Sequence, residues 1–296
     1  MLLFYGKLLY HFLYQYQHET ENRRQENIPG RGGASFFMIG LIGGSGLHEI
    51  PGFKVNERRA VETPYGLPSD EFMIGELSGR TVAFLPRHSF KHNIPPHKVN
   101  YRANIRGFKE LGAERVIAVS AVGGINNSLR PGDIVLLNQL IDFTKSRVNT
   151  FYDGDDVVHV DFTEPYCPEL RESFIRASES GGIKLLNAGT YICVEGPRLE
   201  TASEIGFFSS MSADVVGMTG MPEAVLARES ELCYVALSVV TNLAAGISPV
   251  KLTAKEVVET MNRSTEVVKT LLSGAIGLVP QRRDCPCGEA LKDAGM

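Results

Sequence analysis

From Met38 onward the chain alternates two patterns. Short, continuously apolar runs end in glycine, hydroxyl or charged residues. Between them lie segments whose apolar positions recur every three or four residues. "MIGLIGG" (38–44), "TVAFLPRH" (81–88) and "ERVIAVSAVGG" (114–124) are of the first kind and predict strands. "KVNYRANIRGFKELGA" (98–113) has helical spacing and a glycine stop. "GDIVLLNQLIDFT" (132–144) predicts a further strand, and "PELRESFIRASESGG" (168–182) a helix with proline at its start and glycine at its end. "AGTYICVEG", "ADVVGMTG" and "LCYVALSVVTN" read as strands; "PEAVLARESE" and "TAKEVVETMNRSTEVVKTLLSG" read as helices. Strands apolar on both faces need cover on both sides. The pattern therefore predicts the α/β class: a single domain with a central mixed, mostly parallel twisted sheet flanked by helices.

The pattern changes sharply at Met38. "MLLFYGKLLYHFLYQYQ" is apolar and aromatic but interrupted by Lys7 and His11. It is too short and too polar for a membrane span and lacks a cleavage pattern. "HETENRRQENIPGRGGAS" reads as polar linker. Residues 1–37 are thus expected to be a flexible extension or an added leader, with an interfacial anchor as the alternative. Residues 38–280 form the domain, and 281–296 a short polar tail. A net charge of -4 gives no sign of a nucleic-acid binder. Five cysteines in 296 residues do not make a secreted disulfide framework, so the cytoplasm is the expected compartment.

The glycine turn "GGSG" after the first strand asks for an anion. A dinucleotide fingerprint would place a third glycine where Glu49 stands, and a phosphate-binding loop of the nucleotide-hydrolase type would need a following lysine. Neither fits. What remains is a nest of backbone N–H groups with one hydroxyl, Ser45, suited to a small anion. In open α/β sheets ligands bind at the carboxyl ends of strands. Those ends supply Arg87 and His88, then Ser120 with the amide of Ala121, then Met218 and Thr219. Arginine binds phosphate bidentately, and hydroxyls add neutral donors.

These residues sit inside longer motifs: "IGLIGGSGL", "TPYGLPS", "FLPRH", "PPHKVNYRANI", "SAVGGI", "PGDIVLLNQLIDFT", "EGPRLET", "DVVGMTGMPEAVLARE" and "VVTN". In that order, from Met38 to about Met261, the chain resembles the purine nucleoside phosphorylase family, in its 5'-methylthioadenosine phosphorylase branch. The resemblance implies a homotrimer and a reversible phosphorolysis, with inorganic phosphate as co-substrate and no metal or organic cofactor. It places phosphate on Ser45, Arg87, His88, Ser120, Ala121 and Thr219. It puts Met218 beneath the ribose and gives Asn242 and His88 the catalytic roles. The transition state is expected to resemble an oxocarbenium ion, as in glycoside hydrolysis.

Base and sugar preference are read from three places. Family members that cleave 6-aminopurine nucleosides carry aspartates where this chain has Asn242 and Ala244, whereas 6-oxopurine members carry asparagine and a glutamate matching Glu200. A carboxylate accepts a hydrogen bond from N1–H, which 6-oxopurines have and adenine lacks. At the start of the last helix Ala254 and Val257 form an apolar wall suited to a methylthio group. His159 is expected to reach the neighbouring subunit's sugar. Together these favour 5'-methylthioinosine, then inosine and guanosine, with methylthioadenosine third.

Cys285 and Cys287 in "CPC" are read as incidental thiols of the tail, because two close cysteines fall short of a zinc site. A non-catalytic nucleoside-binding protein and a nucleoside hydrolase are the competing readings. The intact Arg87, His88 and Thr219 set speaks against the first, and the absence of an acidic set at the sugar speaks against the second.

Overall fold

A computed structural model describes residues 37–44, 49–247 and 254–295, with the side chains of 254–257 excluded. Residues from Phe37 onward form one compact unit. The expectations for residues 1–36 and for Ser45 lie outside the described residues.

The strands are β1 (Met38–Gly43), β2 (Lys54–Arg59), β3 (Phe72–Leu77), β4 (Arg80–Pro86), β5 (Ala113–Gly124), β6 (Ile134–Leu136), β7 (Gln139–Phe143), β8 (Leu185–Leu186), β9 (Thr190–Val194), β10 (Val215–Gly217) and β11 (Cys233–Leu243). The helices are α1 (Tyr101–Glu110), α2 (Pro168–Gly181), α3 (Ala202–Ser210), α4 (Gly220–Glu229) and α5 (Ala254–Leu278). One path through the sheet runs β2-β3-β4-β1-β5-β10-β9-β7, while β11 pairs with β5 and β6, and β6 with β8. β1 runs parallel to β4 and β5, β11 parallel to β5, and β9 parallel to β7 and β10. The β2–β3 and β3–β4 pairs are antiparallel. The expected mixed, mostly parallel α/β sheet is what forms.

The strand alternation sorts the core into two faces. On β5, Ile117 and Val119 join Val235, Leu237 and Val239 of β11 beneath α2 and α5. Val116 and Ala118 turn the other way, towards Ala236, Val240 and the α1 residues Ile105 and Phe108. Helix α1 starts where the side chain of Asn100 accepts from the amide of Ala103 at 3.1 Å, an N-cap that satisfies an otherwise orphaned donor.

Two sequence readings change. "GDIVLLNQLIDFT" is not one strand: it divides into β6 against β11 and β7 against β9, turning at Leu137 and Asn138. A continuous apolar run does not reveal that its halves pair with different partners. The segment read as a polar tail also packs back, with a short 3-10 turn at Pro286–Glu289 that buries Cys287 in the core.

Candidate active site

The carboxyl ends of β1, β4, β5, β10 and β11 converge on a cavity of about 560 Å³. Arg87, His88, Ser120, Ala121, Glu200, Met218, Thr219 and Asn242 line it, so eight of the residues singled out in the sequence come together. Gly44, the last described residue before the glycine turn, also lines it. The first half of α5 supplies Val258, Met261, Asn262 and Thr265 as a wall. The side chains of Ala254 and Val257 lie outside the described residues. Ala244 does not reach the cavity. It is buried with Ile125, Ile192 and Val216, and its amide donates to Gly124 at 2.8 Å. His159 is exposed on a loop whose backbone amide donates to Ala294. Neither belongs to this cavity within one chain.

Arg87 departs from expectation. Its fork does not stand free for an anion. Nε and Nη2 grip the Glu223 carboxylate at 2.7 and 2.8 Å, and Nη1 donates to the Val119 carbonyl at 2.9 Å. Both side chains are buried, and the Tyr234 hydroxyl donates a further bond to Glu223 at 2.8 Å. Burial by itself would disfavour the charge on Arg87, but the facing Glu223 more than reverses that and holds the guanidinium protonated. A charge so paired and fixed contributes oriented N–H bonds more than free positive charge. Glu223 sits inside a helix and carries no sequence signal beyond helical spacing, so the sequence reading missed it.

His88 is tied down by its backbone partner. Nδ1 lies 2.8 Å from the Ile94 carbonyl, which can only accept, so Nδ1 carries the proton. That leaves Nε2 as the ring nitrogen for a ligand. Burial, with the nearby Arg87 charge, lowers the His88 pKa to about 4. The ring is therefore neutral at ordinary pH, and Nε2 presents a lone pair.

On β11 the register with β5 slips between Val240 and Asn242. Without a slip, Thr241 and Asn242 would face opposite sides; here both line the cavity. Thr241 Oγ1 stands 2.9 Å from Asn242 Oδ1, and Asn242 Nδ2 donates to the Leu243 carbonyl at 2.9 Å. The amide is thereby oriented, with one Nδ2 hydrogen left for a ligand.

Glu200 immediately precedes the N-cap of α3. There the Thr201 hydroxyl accepts from the Glu204 amide at 3.1 Å, and the Glu204 carboxylate accepts from the Thr201 amide at 2.7 Å, a capping box. Arg198 grips the same Glu204 at 2.6 and 2.8 Å. Burial raises the pKa of Glu200. Gly196 opens this loop with φ +66°, and a Cβ there would lie 2.5 Å from Met218 Sδ. Only glycine allows both that backbone and that approach.

Arg147 is a second residue that the sequence reading missed. Its guanidinium donates to the carbonyls of Met218 at 2.7 Å, Glu195 at 2.7 Å and Val194 at 3.3 Å, and also to that of Met221. It thus locks the end of β10 to the loop that carries Glu200. "KSRVN" lies between elements and offered no pattern that could flag it.

A sheet-end cavity that sets hydroxyls and an ion-paired guanidinium beside an oriented amide and a partly buried carboxylate defines an α/β small-molecule site. The chain belongs to the Phosphorylase superfamily, whose family model matches residues 38–277. It is 51% identical over 263 residues to the 6-oxopurine nucleoside phosphorylase of Pyrococcus furiosus, covering 86% of this chain and 98% of that one. It is 49% identical over 257 residues to the S-methyl-5'-thioadenosine phosphorylase of Thermofilum pendens, covering 86% and 97%. Among solved structures, the methylthioadenosine phosphorylase from Schistosoma mansoni in complex with adenine superposes with a TM-score of 0.82 at 33% identity, covering 87% of this chain and 96% of that one.

Proposed function

We propose that this protein is a pentosyltransferase that splits a purine nucleoside with inorganic phosphate, giving free purine and a ribose 1-phosphate derivative. One observation carries the reading. A single cavity joins groups suited to a protonated phosphate (the donors Ser120, Thr219 and the paired Arg87, with His88 as acceptor) to groups suited to a purine edge (Asn242 and Glu200).

In this reading phosphate lies against Thr219, Ser120, the Ala121 amide and Arg87. Neutral His88 accepts from a P–OH group at Nε2. A phosphate oxygen attacks C1' as the bond from C1' to the purine breaks, and the bonding electrons pass into the base. The spare Nδ2 hydrogen of Asn242 supports the negative charge that grows at N7. Donors fixed before the reaction cost no reorganisation when charge develops. Glu200, ionised, accepts from N1–H and so favours 6-oxopurines. Val258 and Met261 give the α5 wall two apolar side chains beside Asn262 and Thr265, and those two favour a 5'-methylthio group over a hydroxyl. 5'-Methylthioinosine is the preferred substrate, with methylthioadenosine as the alternative.

The test is purine release from methylthioinosine, inosine, guanosine and methylthioadenosine, each with and without phosphate. Release without phosphate would make the protein a hydrolase, and binding without release would make it a sensor. A homotrimer belongs to the same proposal. Phe143, Phe207 and Leu199 are apolar and exposed on one chain, and His159 is expected to complete a neighbour's site. Light scattering that finds a fully active monomer would remove that part.

A further inference from the structure

Four of the five cysteines, drawn from three separate stretches of the chain, come together. The Sγ atoms of Cys167, Cys233, Cys285 and Cys287 all lie within 4.8 Å of one another. Cys167 is the N-cap of α2, Cys233 opens β11, and Cys285 and Cys287 flank Pro286 in the 3-10 turn. Three of the four are buried, and all four are free thiols. Cys193 stands apart, bonded to the backbone of Met221.

We propose that these four cysteines hold one tetrahedral zinc ion, which fastens the C-terminal segment to the core. A tetrahedral zinc–thiolate centre has bonds of about 2.3 Å, which sets its sulfurs roughly 3.8 Å apart. The cluster brackets that spacing: Cys233 and Cys285 are 3.3 Å apart and the widest separation is below 4.8 Å. Disulfide sulfurs would stand at about 2.05 Å. Four soft sulfurs without imidazole or carboxylate among them select zinc over magnesium, calcium or manganese.

Charge supports the same reading. Zinc with four thiolates carries a net charge of -2. Arg115 stands opposite Cys233 in the β5–β11 register, on the same face of the sheet. It is fully buried, and its Nε and Nη2 have no hydrogen-bond partner. Its Nη1 reaches the Glu114 carboxylate at 3.3 Å and its guanidinium lies over the Phe37 ring at 3.9 Å; a dianionic centre on the same face would add to that compensation. Arg283, whose Nη1 donates to the Glu231 carbonyl at 2.8 Å, adds a second cation from the segment that carries the cysteine pair.

The centre would be structural, since four protein ligands leave no open position. What it ties down is defined. Beyond Cys287 the chain runs to Ala294, whose carbonyl accepts from the His159 amide at 2.8 Å, and Gly295 bridges to Val158. The zinc would thus anchor the segment that braces the His159 loop.

The test uses the full-length protein, purified anaerobically after growth with zinc. Native mass spectrometry and elemental analysis should find one zinc per chain, and the denatured chain should have the mass of five reduced thiols. Cobalt loaded in its place should give the intense visible bands of a tetrahedral thiolate site, and Cys285→Ser should lose them. A denatured chain about 4 Da lighter, meaning two disulfides, would overturn the proposal. So would reduced protein that holds no metal when zinc is supplied. The wild-type stoichiometry decides the matter even if the serine variant does not fold.

Discussion

The guanidinium of Arg87 and the carboxylate of Glu223 form a two-point ion pair, 2.7 and 2.8 Å across, buried at the rim of the cavity. Removing one partner strands a charge out of water, which costs about 3–5 kcal/mol. Glu223→Ala should therefore lower the urea midpoint by more than a loss of packing would. Arg87→Ala should nearly abolish phosphorolysis, with a loss of about 2–5 kcal/mol in binding or transition-state stabilisation. The double variant should cost less than the sum of the two in stability, because neither charge is left alone. Near-normal turnover in a folded Arg87→Ala protein would remove Arg87 from the phosphate site.

His88 makes a prediction about acid. Its folded pKa, about 4, lies below the ordinary 6.5. Between those values the unfolded chain binds the proton and the folded chain does not. The stability that His88 contributes is thus complete above pH 6.5 and falls as pH drops towards 4. The ceiling is about 3 kcal/mol, at 1.4 kcal/mol per unit. Urea unfolding at pH 7.5 and pH 5 should show wild type losing more stability than His88→Gln. Equal losses in both would mean that the ring is already protonated in the folded protein. The kcat/KM profile should show no inflection from His88 between pH 5 and 8.

Much of this site was legible in the sequence, for a physical reason. Strand ends are marked by an apolar run giving way to polar residues, and the sheet brings those ends together. Arg87, His88, Ser120 and Thr219 were found in that way, whereas Asn242 and Glu200 came from the family resemblance. What stayed hidden depends on partners distant in sequence. Glu223 looks like any helical glutamate until Arg87 is opposite it, 136 positions away. Arg147 sits in a loop whose value lies in the carbonyls it reaches. Cys285 and Cys287 look incidental until α2 and β11 bring Cys167 and Cys233 beside them. The division between β6 and β7 was hidden because pairing, not hydrophobicity, separates them.

Arg147 should behave as a positioning residue. A lysine keeps the charge but cannot reach the carbonyls of Met218, Met221 and Glu195 together. Arg147→Lys should fold, yet lower kcat/KM at least about tenfold, equal to 1.4 kcal/mol. Most of that should appear as a raised nucleoside KM, with phosphate KM changing less, if Met218 and Glu200 face the nucleoside as proposed. Unchanged kinetics in a folded Arg147→Lys protein would show that the loop holds its place without this clamp.

Asn242 and Glu200 should set the choice of base. The Leu243 carbonyl, which can only accept, fixes which end of the Asn242 amide is the donor. That leaves one Nδ2 hydrogen, which in the proposed reading faces the purine. An aspartate there would put a carboxylate oxygen 2.9 Å from the Leu243 carbonyl, a repulsion that should lower the overall rate. Towards the base, the same carboxylate accepts from the exocyclic amine of a 6-aminopurine but repels the O6 lone pairs of a 6-oxopurine. Each unsatisfied polar group in a dry site costs about 1–3 kcal/mol, or roughly 5- to 150-fold in discrimination. Wild type should therefore favour methylthioinosine over methylthioadenosine in kcat/KM, and Asn242→Asp should reduce that ratio by a factor in this range. Glu200→Gln tests the other contact. A glutamine can donate to N1 of adenine as well as accept from N1–H, so it should narrow the preference without reversing it. A wild-type preference for methylthioadenosine would overturn the base assignment while leaving phosphorolysis intact, because the phosphate groups and the base groups are different residues.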